Sequence, residues 1–317
     1  MLSGKAHTHR EIGKGVISDQ GRAGQALAPG FNLIGVVWAI NGDLEYLANS
    51  LGMEHTSSHK MCPWCRANDL EYGDAAAAER LLISPTPWNE IGQDAAWRST
   101  VYQSAEEWFI SHGGRHSVHP VLALPGVSGL TVIADAMHTL DLGIAHHICG
   151  NILFKFCWEG RYFPGAGAPQ DRLDLFWGIV EHRYVARKVN CRIPELSLDH
   201  FTNTRRPHLT YPCLSTRIKA AATRHFVPVL ASIFEDRCNA VVLEDHHMLR
   251  MLQGLVRAYS VLGSHVDAML PAAAVAEFQS GIDQCPQHYR WLHVDAFRKG
   301  MRLWKEAPKI QFLQTHC

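Results

Sequence analysis

The sequence lacks net charge: 30 Lys and Arg balance 30 Asp and Glu over 317 residues. Composition therefore excludes a chain that is basic throughout, and any contact with nucleic-acid phosphates has to be local. No apolar run approaches the ~18 residues that a membrane helix needs. The start, "MLSGKAHTHREIGKG", is polar and glycine-rich, without the apolar core of a secretory signal. Internal repeats and low-complexity linkers are also missing. The nine cysteines are an odd number, and only Cys62 and Cys65 sit close together. That argues against a disulfide framework and for an intracellular, reducing setting, where a close pair reads as metal-binding or redox-active. What the chain does have is 47% hydrophobic residues, enough for one large core or two smaller ones, and 20 histidines.

Residues 1–30 show no periodicity and read as a loose tail. "FNLIGVVWAI" (31–40) is a continuous run with β-branched and aromatic residues, the pattern of a buried strand. "NGD" breaks it, and "LEYLANSLG" then reads as a short helix closed by Gly52. "GLTVIAD" (129–135) is a second strand candidate that again ends in an aspartate. Between the two, "DAAAAERLL" and "SAEEWFISH" are helical, and the Pro- and Gly-punctuated stretches around them are loops. From 136 onward apolar residues recur at three- and four-residue spacing. They do so in "AMHTLDLGIAHHICGNILFKFCWEG", "RLDLFWGIVEHRYVARKV", "LSTRIKAAATRHFVPVLASIF", "VVLEDHHMLRMLQGLVRAYSVLG" and "HYRWLHVDAFRKGMRLWKE". Trp158, Trp177 and Trp291 fall at these spacings and read as core. The expected fold class is α/β, mainly helical: a small α/β piece with an insertion, then a long all-helical half.

Two groups of residues carry chemistry. Asp43 and Asp135 each close a strand candidate, a position from which a carboxylate reaches a metal ion, although a helix cap or turn suits "NGD" equally. Asp135 and His138 are three apart, so they fit one helix face as joint ligands, or as a carboxylate orienting an imidazole. The second group is "EHTSSHKMCPWC" (54–65). His55, His59, Cys62 and Cys65 supply four zinc-type ligands within eleven residues. The Cys-x-x-Cys pair gives two thiolates on one knuckle. Unliganded cysteines and a redox dithiol are the alternatives, and His112, His116 or His138 could replace one of the nearer histidines. A cytidine-deaminase reading fails because no His-x-Glu precedes the pair. An HNH-type nuclease would pair the knuckle with a distant motif such as "EDHH" (244–247).

The order of these motifs resembles the transposases of CACTA-type DNA transposons, the Tnp2-like group and its Plavaka-like relatives. The resemblance covers roughly residues 32–317. It rests on a strand ending in "GD", the His/Cys knuckle, "DAMHTLDLGIAHHICGN", "KAAATRHFVPVL" and "PKIQFLQTH". It implies an RNase H-like core whose acids hold two divalent metals for DNA cleavage and strand transfer. Carried over, Asp43 matches the second catalytic acid, Asp135 and His138 match the Asp-x-x-His motif, and the knuckle is an insertion in the core. The implied division is a tail (1–30), a partial core (31–140) with a knuckle-bearing insertion (53–128), and a helical region (141–317).

The chain also departs from this pattern. The acids before residue 31 are Glu11 and Asp19, outside any strand pattern. Gln311 stands where "PKIQFLQTHC" should carry a histidine. Glu244, Asp245 and Glu277 are the substitutes for a third acid. The resemblance therefore implies an internal fragment of a transposase, catalytically incomplete. Structural Zn²⁺ is expected at the knuckle, and Mg²⁺ or Mn²⁺ only with catalysis.

The segment 181–224 holds nine Arg and Lys against three acids. Arg205, Arg206, Arg217 and Lys219, in and beside "NTRRPHLTYPCLSTR", are its candidate DNA contacts; a solvated helix face with a basic loop is the alternative. DNA and a second copy of the chain are the expected partners. No membrane is expected, and the family resemblance implies the nucleus.

Overall fold

A computed structural model describes residues 40–53, 64–65, 99–102, 107, 127, 131–265 and 270–305. The tail, the strand candidate over 31–39, the helices "DAAAAERLL" and "SAEEWFISH" apart from Glu107, and His55, His59 and Cys62 lie outside the described residues. The chain divides into two compact units that change over between Asp135 and Ala136.

The apolar run delivers a strand at its very end. β1 (Ile40–Gly42) pairs in parallel with β2 (Val132–Ala134), Gly42 opposite Ala134. Parallel pairing needs a crossover, and nearly ninety residues of chain supply it. α1 (Leu44–Asn49) follows β1 directly. Gly52, at φ 75, takes the left-handed conformation that stops a chain leaving a helix. Leu47, Leu51 and Met53 are buried on one side of this turn.

The second unit is helical throughout. A π-helical turn (Met137–Ile144) runs into α2 (Ala145–Trp158). α3 (Pro169–Ala186), α4 (Ala220–Arg237), α5 (Leu243–Ser264) and α6 (Ala272–Arg298) complete it. α2 is buried on nearly all sides, with Ile148, Ile152, Leu153 and Phe156 at 0% exposure, so it forms the centre of the unit. Phe156 meets Tyr162, Phe163 and Phe176 in edge-on and tilted ring contacts, which are favoured over face-to-face sandwiches, and stacks against Phe234 with centroids 5.9 Å apart. Trp158, Trp177 and Trp291 pack against this core, as their spacing implied.

Two helix expectations need correction. "LSTRIK" continues the apolar spacing of α4 but is loop up to Lys219, whose ψ of 148 is extended. Its backbone groups pair elsewhere, as described below. The last helix starts sixteen residues earlier than "HYRWLHV" and stops at Arg298. Gly300, at φ 66, ends it in a Schellman motif: the Met301 amide donates to the Ala296 carbonyl and the Gly300 amide to Phe297.

Gly281 sits inside α6 for a packing reason. α5 and α6 cross so closely that a Cβ on Gly281 would lie 2.6 Å from the Gly254 carbonyl oxygen, and one on Gly254 would lie 2.8 Å from that of Gly281. Buried charge is handled by pairing. Asp141, at 0% exposure, receives Nε and Nη2 of Arg224, at 3.1 and 2.7 Å. Lys155, at 1%, bridges Glu159 and Glu244, each at 2.5 Å. Arg161 and Tyr162 bind Asp245 from the same side, at 2.8 and 2.7 Å. The described cysteines are free thiols. Burial pushes Cys157 and Cys285 up to about 12, which keeps them protonated and inert. No helix among the described residues is long and apolar enough to cross a membrane.

Gly281→Ala should lower the free energy of unfolding by about 1–3 kcal/mol, because overpacking outweighs the gain in helix propensity. Gly178→Ala, in open space on α3, should raise it by about 0.5–1 kcal/mol. Urea denaturation of both variants checks the contrast.

Candidate functional site

The two strand-end aspartates come together. The Asp135 amide donates to the Gly42 carbonyl at 2.9 Å, so the parallel ladder continues one residue past each strand. Asp43 and Asp135 are the next positions in register, where neighbouring strands run about 5 Å apart. Asp43 also has a local task. Its Oδ1 accepts the Tyr46 amide at 2.6 Å, making it the N-cap of α1. Both aspartates are half-buried. His138 is half-buried too, and lies in the π-helical turn that opens the second unit.

Of the knuckle, Trp64 and Cys65 are described. Trp64 is fully buried, and its indole N–H donates to the Val132 carbonyl at 2.8 Å. Cys65 is 2% exposed and forms an isolated antiparallel bridge with Val101, next to a bond from the Tyr102 amide to the Trp64 carbonyl. The Cys-Pro-Trp-Cys stretch is thus tied to the strand that leads to Asp135. The spacer Trp64, which carries no ligand chemistry, makes that tie. Among the described residues no group of three or more His, Cys, Asp or Glu is arranged to hold a metal ion.

The basic segment forms a loop on the second unit, and α2 is its bed. Residues 200–201 and 213–215 pair through backbone bonds, Cys213 to Phe201 and Ser215 to His200, while the Leu214 amide donates to His146 on α2. Gly150 lets the loop lie flush, since a Cβ there would sit 2.5 Å from the Cα of Cys213. Asn151, fully buried, donates to the His147 and Pro212 carbonyls and accepts the Trp304 amide. "HHICGN" is therefore the surface on which the loop is seated. No family model, curated protein or solved structure matches the chain.

Between the two arms of the loop lies an open cleft of about 400 Å³, lined by residues 199–203, 210–211 and 213–216. Asn203 shapes its tip, accepting the amides of Arg205 and Arg206 on Oδ1. Arg205, Arg206, Arg217 and Lys219 are all exposed and form no ion pair among the described residues. Lys188, just past the end of α3, is likewise exposed, but the remaining cations of the segment are committed. Arg183 pairs with Asp236 and Arg224 with Asp141, while Arg187 and Arg192 donate to backbone carbonyls. Exposed Tyr211 and Leu209 border the loop, and Arg302 adds a further cation by donating to the Leu209 carbonyl. Four uncommitted cations beside an open polar cleft can hold phosphates without breaking an existing pair.

Glu244 and Asp245, substitutes for a third acid in the sequence, are bound into the Lys155–Arg161–Tyr162 network. The Asp245 Oδ2 also accepts the Asn239 amide. Sequence reasoning passed over Asp141 and Tyr259, and counted Arg224 with the basic segment without its partner Asp141. Burial, with Asp141 alongside, pushes the Tyr259 phenol well above its ordinary range. The one signal was an acid on the apolar side of an otherwise helical pattern.

The cap gives a direct test of Asp43. Asp43→Ala should cost about 0.5–2 kcal/mol, whereas Asp43→Asn, which keeps a capping oxygen, should cost a few tenths. Hydrogen exchange at the Leu47 and Ala48 amides reads the difference locally.

Proposed function

We propose that the chain is a transposase-derived DNA-binding protein, nuclear like the family it resembles, whose carboxylates no longer make a complete two-metal cleavage site. The observation that carries this reading is the in-register placement of Asp43 and Asp135 at the ends of two parallel strands. Two carboxylates side by side fit one divalent cation of the Mg²⁺ or Mn²⁺ type, which takes few protein carboxylates and keeps its waters. In-line phosphodiester cleavage by two ions needs further ligands. Glu244 and Asp245 do not offer them, since each already neutralises a buried or half-buried cation. An RNase H-like arrangement is the larger fold to which this strand pair would belong. His138 stays in this reading as a neighbour of the metal ligands in sequence.

DNA contact falls to Arg205, Arg206, Arg217 and Lys219, which are exposed and uncommitted. Single-ion occupancy at the aspartates would still allow them to position a phosphate. A second reading is a non-catalytic, zinc-containing module that binds DNA or protein. It is favoured by the use of Asp43 as a helix cap. In that reading Cys65, with Cys62, His55 and His59, holds structural Zn²⁺ beside β2.

A mobility-shift series separates these ideas. If each of the four cations meets one phosphate, log K should fall with log salt at a slope near −4 × 0.9. Replacing all four by Ala should remove about that slope; no shift at low salt for the wild type sinks DNA binding. Incubation with supercoiled DNA and Mg²⁺ or Mn²⁺ should leave the DNA intact. Nicking that disappears in Asp43→Asn, which keeps the cap, would instead show a working catalytic site.

The knuckle has its own test. Metal analysis should find about one zinc per chain, lost in Cys62→Ser/Cys65→Ser. A metal-free wild type would end the zinc assignment.

A further inference from the structure

Three histidines gather where α5 and α6 cross. Nδ1 of His247 and Nδ1 of His288 face each other at 2.8 Å. The exposed His246 ring lies 5.6 Å from that of His247 and 6.3 Å from that of His288, centre to centre. His247 is held in place. Its ring stacks on Trp291 at 3.9 Å with the planes 4° apart. His288 is one turn before Trp291 on α6, and the Gly254–Gly281 contact fixes the helix separation. Neither ring depends on a mobile loop.

We propose that His247 and His288 form a two-histidine site for a divalent transition metal that favours right-angled coordination, Cu²⁺ or Ni²⁺. The argument is geometric. With metal–nitrogen bonds of about 2.0–2.1 Å, two ligands at a tetrahedral angle lie about 3.3 Å apart, and two at a right angle about 2.9 Å. The separation in the protein, held by a hydrogen bond, is 2.8 Å, nearer the cis positions of a square-planar or tetragonal ion than the wider spacing of tetrahedral zinc. Imidazole suits both metals.

In the free protein one Nδ1 donates to the other, so the two rings are opposite tautomers. Binding needs the donating ring to move its proton from Nδ1 to its own Nε2, and each ring to turn by about 45° so that its Nδ1 lone pair leaves the line between the nitrogens and meets the ion; no proton is released. The surrounding charges partly cancel: Arg250 and His246 oppose added positive charge, and Asp295 favours it. Burial, together with the neighbouring histidines, holds His247 below its ordinary value and His288 down at about 4. Both rings are therefore neutral at pH 7, the state a metal requires. Water completes the coordination, since these two histidines are the protein's whole contribution.

The test uses the full chain in a Cys62→Ser/Cys65→Ser background, which removes the close thiolate pair and leaves seven of the nine cysteines; a sulfur-to-copper charge-transfer band would mark binding at those instead. Cu²⁺ is titrated in a non-coordinating buffer and followed by visible absorption and electron paramagnetic resonance. The expected result is one tight Cu²⁺ per chain with coupling to two nitrogens. His288→Gln and His247→Gln should weaken binding tenfold or more, and His246→Gln less than twofold. Undiminished binding in the first two variants means scattered surface histidines take the ion, and overturns the site; so does an equal loss in His246→Gln. If either variant fails to fold by circular dichroism, the nitrogen count in the parent decides: coupling to other than two nitrogens overturns the proposal.

Discussion

Buried charge at the two ends of α2 is the constraint on which the helical unit depends. Asp141 stands just before the helix and Lys155 in its last turn, and both are almost wholly removed from water. An ion in that position is tolerated only with well-placed partners, because desolvation costs several kcal/mol per ion. Each has a partner from a distant part of the chain: Arg224 on α4 for Asp141, and Glu244 at the start of α5 for Lys155, which also pairs locally with Glu159. The central helix is thereby pinned to α4 at one end and α5 at the other. An apolar helix with this much surface could slide or rotate among its neighbours with little change in buried area. Paired charges at both ends remove that freedom, which fits a role in specificity more than in raw stability.

From that fixed helix the rest of the site follows. Gly150 and Asn151 lie on α2 between the two charges, so the bed of the basic loop is set by the same pins. Asn151 spends its amide on Pro212 and its carbonyl oxygen on Trp304. It joins the loop and the stretch after α6 to one buried side chain. Trp304 has φ 55, unusual for a bulky residue, and is fully buried. Its amide bond to Asn151 and the bond its carbonyl accepts from His293 offset that strain. The π-helical turn belongs to the same arrangement. By widening the helix for one turn it shifts the register between Asp141 and His146, so that the first meets Arg224 and the second meets Thr223. Adjacent residues of α4 are served by residues five apart on the other segment.

Much of this was legible in the sequence, and the losses have physical causes. Short-range signals held: Gly52 stops α1, Asp43 caps it, and "VIA" before Asp135 is a strand. Helix spacing located α3 and α5 to within a few residues, and α2 together with the π-helical turn that precedes it. It failed where tertiary bonds outbid periodicity. "LSTRIK" has helical spacing, but Cys213, Leu214 and Ser215 give their amides to Phe201, His146 and His200. It also failed where local breakers were overridden. "AAAVAEFQSGIDQCPQ", ahead of the expected start at "HYRWLHV", contains Gly281 and Pro286, yet it is continuous helix, because Gly281 is what allows α6 to approach α5. The basic loop was visible as charge. Its uncommitted state was not, since pairing of Arg183 and Arg224 with distant acids leaves no trace in sequence.

The cap on Asp43 leaves room for the cation proposed at the strand ends. An ionised carboxylate has two oxygens and about four acceptor positions. One hydrogen bond from the Tyr46 amide uses a fraction of these and fixes the side-chain rotamer. A ligand held in one rotamer loses less entropy on binding an ion, so the cap would prepare Asp43 for the proposed cation as much as it would compete with it. The distinction lies in what happens to Asn at this position. A cap survives that change, because the side-chain oxygen remains. A cation site does not, because the charge that offsets ion dehydration has gone. The same separation applies to Trp64, which anchors the knuckle to β2 through an indole bond that needs no metal. Zinc at Cys65 would then add to a contact already made, bracing a strand end whose position the backbone ladder has set.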